Sequence, residues 1–178
     1  GIAVLSFVRN GHLSSAAGDG AVDMWDVSSR RRAFRFMHRD FSLMSVACSS
    51  DGTTLAIPHR NTLGDSENSS VKLWDVATEK LILSISLSQA VRVIAFHPDG
   101  KILATAGGVI DAIQFWNIAT GKLSIELPTF GSVLAFSPDG KILVSGGPTL
   151  QFWEVASKYL FSMNVQQLVR TFTPTISI

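Results

Sequence analysis

A unit that ends in tryptophan recurs four times along this chain, and it constrains the fold more than any other feature. In each unit the tryptophan precedes an acidic or amide residue: Trp25-Asp26-Val27, Trp74-Asp75-Val76, Trp116-Asn117-Ile118 and Trp153-Glu154-Val155. Successive tryptophans are 49, 42 and 37 residues apart. Self-similarity at a period of about 40 residues predicts a repeat architecture, in which each unit buries its apolar surface against its neighbours.

Each unit also has the same order of short apolar segments and tight turns. The first segments (4–7, 45–48, 93–96 and 133–136) are each followed by a turn: Asn10-Gly11, Ser50-Asp51-Gly52, Pro98-Asp99-Gly100 and Pro138-Asp139-Gly140. Asn-Gly and Asp-Gly accept positive φ at low cost and favour hairpins. Second segments (13–16, 55–57, 102–106, 142–145), third segments (22–25, 71–74, 113–116, 150–153) and fourth segments (33–36, 81–85, 123–127, 159–163) follow. Four short antiparallel strands per unit are the plan of a propeller blade.

These units resemble the WD40 repeat family, whose members combine an apolar strand, a Ser-Pro-Asp-Gly turn and a Leu-Trp-Asp ending. The likeness covers roughly residues 1–165. It implies an all-β fold, a WD40-type β-propeller in one domain over 1–178, with four four-stranded blades at about 1–40, 41–88, 89–129 and 130–165. Residues 166–178 are predicted to add an extra strand, the stub of a fifth blade. Three arrangements fit: a fragment of a longer propeller, half of a two-chain ring, or four blades alone.

The chain departs from the family pattern in its polar network. The Gly-His pair that often opens a family repeat is absent, so the family's Asp-His-Ser-Trp network is not expected to form fully in any blade. Blade 1 alone keeps an Asp in the expected turn, Asp19, while Asn117 and Glu154 stand where Asp is usual. We therefore expect blades held mainly by apolar packing.

Composition and scattered polar residues argue against catalysis, nucleic acid and membranes. The net charge is +1, hydrophobic residues make up 46% and charged residues 16%, and no apolar run approaches the ~18 residues that span a bilayer. The N-terminal residues do not resemble a signal peptide, and we expect a cytoplasmic, intracellular protein. The single cysteine, Cys48, is expected to be buried and inert, and the four histidines lack metal-ligand spacing. No catalytic residue, metal or cofactor is predicted.

The resemblance implies partner binding on the face that carries the second-to-third loops and the connections between blades. The second blade has the longest such loop, predicted over 58–70. Polar insertions on a rigid frame tend to carry binding function, although a tolerated surface loop and simple inter-blade packing are the alternatives. The candidate partner-binding residues are Arg39, Phe41, His59, Arg60, Asp65, Glu67, Arg92, Asp111 and Phe130.

Two functional readings follow from this pattern. The first is a non-catalytic scaffold that binds a protein or peptide through top-face loops, with self-association into a closed ring as a further option. The second is a sensing or regulatory module of a larger enzyme or complex. A weaker third reading uses Arg30, Arg31 and Arg32, predicted in a turn on the opposite face, to bind phosphate-rich polymers.

Overall fold

The structure, a computed structural model, describes residues 2–8, 11–17, 19–37, 45–60, 69–87, 90–107, 112–129, 131–147, 149–155 and 165–168. These residues form four four-stranded sheets and no helix. The first sheet holds β1 (Ile2–Val8), β2 (His12–Ala17), β3 (Ala21–Asp26) and β4 (Arg31–Met37). The second holds β5 (Ala47–Cys48), β6 (Thr54–Arg60), β7 (Ser69–Asp75) and β8 (Leu81–Leu87). The third holds β9 (Val93–Phe96), β10 (Ile102–Ala106), β11 (Ile113–Asn117) and β12 (Lys122–Leu127). The fourth holds β13 (Val133–Phe136), β14 (Ile142–Gly146), β15 (Leu150–Val155) and β16 (Val165–Leu168).

Every sheet is an antiparallel meander in which strand order follows chain order. The ends of the first and third strands and the starts of the second and fourth strands therefore lie at one end of each sheet, which we call the lower face. The ends of the second and fourth strands and the starts of the first and third strands lie at the other end, the upper face. This arrangement confirms the predicted all-β fold with WD40-type blades.

The long loop of the second sheet is shorter than predicted. Pro58, His59 and Arg60 lie in β6, where Arg60 pairs with Ser69 of β7, so only residues 61–68, outside the described residues, remain for the loop. The polar composition of this stretch suggested a loop, but the β6–β7 ladder continues through it. Pro58 is tolerated in β6 because β5 pairs only with the first part of the strand, which leaves no ladder bond for a proline to remove.

Two other boundaries differ from the sequence prediction. Arg31 and Arg32, predicted in a turn with Arg30, begin β4, and Arg30 alone remains in the turn with a positive φ of 55°. In the fourth sheet, β16 takes the outer position beside β15, so residues 166–168 lie in that sheet. The fourth segment predicted at 159–163 and the rest of the predicted extra strand lie outside the described residues.

The core lies between neighbouring sheets. The second and third strands of one sheet pack against the tryptophan-bearing face of the next, as where Phe115 of β11 meets Leu143 and Trp153 of the fourth sheet. Phe115 and Leu143 are fully buried, and Trp153 is 5% exposed. Burying a side chain of this size contributes about 1.5–3 kcal/mol, so contacts between sheets are a principal source of stability.

Part of the family's polar network survives inside this apolar core. The indole Nε1–H of Trp25 donates to Ser15 Oγ at 2.9 Å, that of Trp116 to Thr105 Oγ1 at 3.0 Å, and that of Trp153 to Ser145 Oγ at 3.0 Å. Asp19 does not join such a network; its carboxylate accepts the backbone N–H of Ala21 at 3.0 Å and closes its own turn. The tryptophan–hydroxyl half of the network therefore remains in three sheets.

Candidate interaction surfaces

The upper face carries the predicted binding residues that the structure describes. Arg92 precedes β9, and His59 and Arg60 end β6 at the same face of the neighbouring sheet. His59 is half-buried, so part of its side chain is committed to packing. The remaining candidates, Arg39, Phe41, Asp65, Glu67, Asp111 and Phe130, lie outside the described residues.

Arg92 is held in place by its neighbours while its side chain remains exposed. Its backbone N–H donates to the carbonyl of Ala106 at 3.0 Å. Its aliphatic stem lies across Gly107, where an added Cβ would come within 2.6 Å of Arg92 Cβ. Gly107 also has a φ of +89°, so glycine is favoured there both by conformation and by space. Within the described ranges Arg92 has no ion-pair partner, so it presents an exposed positive charge at the upper face.

The lower face is built from turns closed by carboxylates. In the second and fourth sheets a serine donates to an aspartate two residues later, Ser49 to Asp51 and Ser137 to Asp139, at 2.6 Å in both cases. These hydroxyl donors hold the pKa of each carboxyl below its usual value. The Ser28 hydroxyl does the same in the turn after β3 and lowers the pKa of Asp26 to about 2. These aspartates stabilise turns and are not available as free acids.

In the third sheet His97 replaces the serine and connects two sheets. It is 5% exposed, and its Nε2 lies 3.0 Å from the carbonyl oxygen of Gly140 in the lower turn of the fourth sheet. Its Nδ1 lies 2.8 Å from Asp99 Oδ1, and its ring meets Phe136 edge-on at 5.1 Å between centroids. The sequence suggested a turn histidine; its packing across the sheet boundary follows only from the tertiary structure.

The arginine-rich segment at the outer edge of the first sheet is partly neutralised. Arg35 makes two hydrogen bonds to the carboxylate of Asp23, at 2.7 and 2.9 Å, and lowers the pKa of that carboxyl. Arg32 lies farther from the same carboxylate, with 3.8 Å between Nε and Oδ1. Arg30 and Arg31 are exposed, and no ion pair to either is seen in the described part of the chain.

Cys48 is half-buried, where the sequence predicted full burial. Desolvation raises the pKa of its thiol to about 12, so the reactive thiolate is scarce at neutral pH. It lines a cavity of about 550 Å³ together with Leu5, Phe96 and Phe136. Cys48 is smaller than Phe96 and Phe136, which occupy the matching positions of the third and fourth sheets, and it faces open space beside the first strands.

The described residues contain no group of three or more side chains arranged to hold a metal ion. Over the same residues, no helix is long and apolar enough to cross a membrane.

Comparison with known proteins identifies the repeat. A family model described as "WD domain, G-beta repeat" matches residues 80–109, which run from β8 through β9 and β10. WD repeat-containing protein 90 of Mus musculus is 30% identical over 123 residues, which are 65% of this chain and 6% of the relative. The chain contains a WD40 repeat and is similar to WD40 repeat proteins. The matched WD40 segment begins in the outer strand of one sheet and ends in the next, so one sequence repeat spans two blades.

Two further relatives are also much longer than this chain. Telomerase protein component 1 of Mus musculus is 28% identical over 71% of this chain and 4% of its own length. Apoptotic protease-activating factor 1 of Homo sapiens is 29% identical over 67% of this chain and 10% of its own length. The chain thus spans at most a tenth of the length of each of these relatives. WD40 domains generally act as protein-interaction scaffolds and are generally non-catalytic.

Proposed function

We propose that this chain is a non-catalytic scaffold that binds a protein or peptide partner through its upper face. The observation that carries the proposal is Arg92, an exposed cation whose aliphatic stem lies against Gly107 and which has no ion pair in the described part of the chain. Arginine is enriched at interaction hot spots. The partner would present a carboxylate to Arg92 and reach towards the upper end of β6. An intracellular location is part of this proposal.

Charge reversal at Arg92 tests the upper face. We expect Arg92→Glu to deplete specific partners in quantitative affinity purification from cells, because the mutation places repulsion at the binding site. The control is Lys141→Glu, which reverses another exposed cation, in a lower turn, where it lies 4.0 Å from Asp139. Equal recovery of all partners by Arg92→Glu and by the unchanged chain would refute the upper-face assignment. A melting temperature unaffected by either substitution shows that the comparison concerns binding.

A regulatory role within a larger protein is the second candidate. It is supported by the small share of each relative that the chain spans, and by one relative whose name describes a protease-activating factor. In this version the upper face binds another domain of the same polypeptide. Sequencing the complete transcript tests it, since a reading frame encoding only WD40 repeats contradicts it.

Self-association is a further partner proposal, supported by the two outermost sheet faces. Ile113 of the third sheet is fully buried by the fourth sheet, while Leu150, its counterpart in the fourth sheet, is 55% exposed. At the other end, Trp25 and Leu13 are half-buried, unlike Trp153 and Leu143. The two faces are the two halves of the interface that joins neighbouring sheets, so two copies can dock head to tail.

Light scattering after size exclusion tests this association. A mass near twice the 19.2 kDa of the chain, reduced to one chain by Leu150→Lys, is the expected result. A monodisperse monomer across the accessible concentration range would contradict it.

A further inference from the structure

The outer edge of the second sheet is an open strand edge that carries no charge. β8 is the last strand of that sheet and pairs only with β7 among the described residues. It runs over seven residues, Leu81–Leu87, without a charged residue or a proline. Natural proteins usually protect such edges with charges, prolines or very short strands. An edge that lacks all three protections is suited to pairing with another strand.

The β7–β8 ladder determines which backbone groups of β8 point outward. At the start of the ladder the N–H of Asp75 donates to the carbonyl of Lys80 at 2.9 Å. Backbone groups of successive residues point to opposite edges of a strand, so those of Val71, four residues earlier, also point towards β8. The ladder partner of Val71 is Ile85, whose N–H and C=O therefore point back towards β7. The groups of the two residues that flank Ile85 point away from the sheet.

These two residues, Ser84 and Ser86, have exposed side chains and belong to a symmetric stretch of sequence. Residues 83–87 read Leu-Ser-Ile-Ser-Leu in either direction. When two copies of this stretch lie antiparallel with Ile85 opposite Ile85, each leucine faces a leucine and each serine faces a serine. The outward groups of the serines then form four backbone hydrogen bonds, two in each of the two serine pairs.

We propose that the outer edge of β8 pairs antiparallel with the same edge of a second copy of this chain, centred on Ile85. The two second sheets form one continuous sheet about a two-fold axis, and the contact uses the same patch on both copies. Lys80, which precedes the strand, lies at opposite ends of the pair in the two copies. The pairing therefore brings no like charges together.

The other outer strands are less suited to such pairing. β4 is as long as β8 but contains three arginines, and β12 contains a lysine and a glutamate. Neither strand reads the same in both directions, so antiparallel self-pairing would place unlike residues opposite each other. β16 has four residues, which makes it a very short edge. The symmetric, uncharged edge is thus a property of β8.

This contact differs from the head-to-tail docking of the outermost sheet faces, because it uses a strand edge and a two-fold axis. It does not depend on the upper-face proposal. It consists mainly of backbone hydrogen bonds, each with a small net contribution, and lacks the area of a stable interface. We therefore expect a transient pair, which cross-linking captures at concentrations where light scattering measures single chains.

Disulfide cross-linking between two variants of the 178-residue chain tests the register. One chain carries Ser84→Cys and the other Ser86→Cys, and both carry Cys48→Ala, which removes the single native thiol. Residues opposite each other in a hydrogen-bonded pair have Cα atoms about 5.5 Å apart, within disulfide range, whereas diagonal neighbours are about 7–8 Å apart.

The products are counted by mass spectrometry of the linked peptides after oxidation of an equimolar mixture. Random collision gives as many disulfides between positions 84 and 86 as between identical positions together. We expect the disulfides between positions 84 and 86 to exceed that sum at least about fivefold, because they alone join opposite residues.

Further substitutions identify the groups that form the contact. Ser86→Pro in the Ser84→Cys chain removes an outward N–H that does not bond to β7, so the sheet should tolerate it. The excess should then fall to the random value, whereas Ser86→Ala, which keeps the N–H, should preserve it. Leu150→Lys in both chains breaks the head-to-tail contact and should also preserve it. Circular dichroism establishes that each variant is folded.

Several results would overturn the proposal. A random ratio of disulfides between folded chains would exclude a specific pair. An excess of disulfides between two copies of position 84 would move the two-fold axis to Ser84 and contradict the register. Retention of the excess in the Ser86→Pro variant would show that backbone pairing is not its cause. Loss of the excess in the Leu150→Lys variant would assign the contact to the head-to-tail faces.

Discussion

At the residue scale, a single hydrogen bond distinguishes the second sheet from the other three. Ser15, Thr105 and Ser145 accept the indole N–H of the tryptophan in their own sheets. At this register position the second sheet has Ile57, which is fully buried and offers no acceptor. Accordingly Trp74 Nε1 is buried without a hydrogen-bond partner among the described residues. The second sheet relies on apolar and aromatic contacts, including Phe36 against Trp74 at 4.5 Å between ring centroids.

Thr105→Val should reproduce this defect in the third sheet. Valine keeps the shape but removes the acceptor from a buried indole, so the free energy of unfolding should fall by about 1–3 kcal/mol. Urea denaturation measures the loss, and hydrogen exchange of the Trp116 indole should accelerate. Thr105→Ser, which keeps the hydroxyl, should retain the exchange protection. Unchanged exchange in the valine variant would show that the bond contributes nothing.

At the element scale, the lower turns both close each hairpin and join neighbouring sheets. The Ser50 hydroxyl donates to the Pro98 carbonyl at 2.6 Å, which connects the second and third sheets. His97 and Gly140 connect the third and fourth sheets at 3.0 Å. The turns are therefore part of the interface between sheets as well as of single hairpins.

Gly140→Ala should destabilise the chain more than Gly100→Ala does. Both glycines have φ near +74°, but an added Cβ at Gly140 would lie 2.5 Å from His97 Nε2, whereas at Gly100 it meets nothing within 4 Å. Gly100→Ala should cost about 1–2 kcal/mol for the left-handed backbone alone. In a His97→Ser background the cost of Gly140→Ala should fall towards that of Gly100→Ala, as a double-mutant cycle would measure. Additive effects in the cycle would contradict the contact.

The acidic turns predict how stability depends on pH. Hydroxyl donors lower the folded-state pKa of Asp51, Asp75 and Asp139 below 3.8, and that of Asp26 to about 2. A carboxyl with a depressed folded-state pKa stabilises the fold above its unfolded-state pKa and loses this contribution as the pH falls through the folded-state value. Urea denaturation should therefore show constant stability above about pH 5 and a decline from about pH 4 towards pH 2. Asp51→Asn with Asp139→Asn should flatten the decline; an identical pH profile would rule these turns out as its source.

At the scale of the whole molecule, stability depends on contacts between successive sheets. Hydrophobic clusters join the first sheet to the second, the second to the third and the third to the fourth. In such an arrangement each interface contributes its own nearest-neighbour term. A residue between two sheets should therefore matter more than its counterpart on an outermost face.

Phe115→Ala and Phe152→Ala measure that difference at matching register positions. Phe115 is fully buried between the third and fourth sheets, so its loss should cost about 3–5 kcal/mol. Phe152 is half-buried on the outer side of the fourth sheet. Phe152→Ala should therefore lower the free energy of unfolding clearly less than Phe115→Ala does, when both are measured at low protein concentration. Equal losses would mean that the outer face is already covered. A cost for Phe152→Ala that grows with protein concentration would support self-association.

The sequence alone determined the number of repeats, the strand type and most turns, because these depend on local chemistry. The Asp-Gly pairs set the hairpins, and alternation before each tryptophan set the strands and the residues that face a neighbour. The tertiary structure decided what depends on distant residues. The β6–β7 ladder carries strand geometry through Pro58 and His59 despite their polar surroundings. Packing against the fourth sheet turns His97 from a turn residue into a bridge, and the space above Gly107 positions Arg92. These outcomes depend on atoms that lie many residues apart in the chain, so no local pattern encodes them.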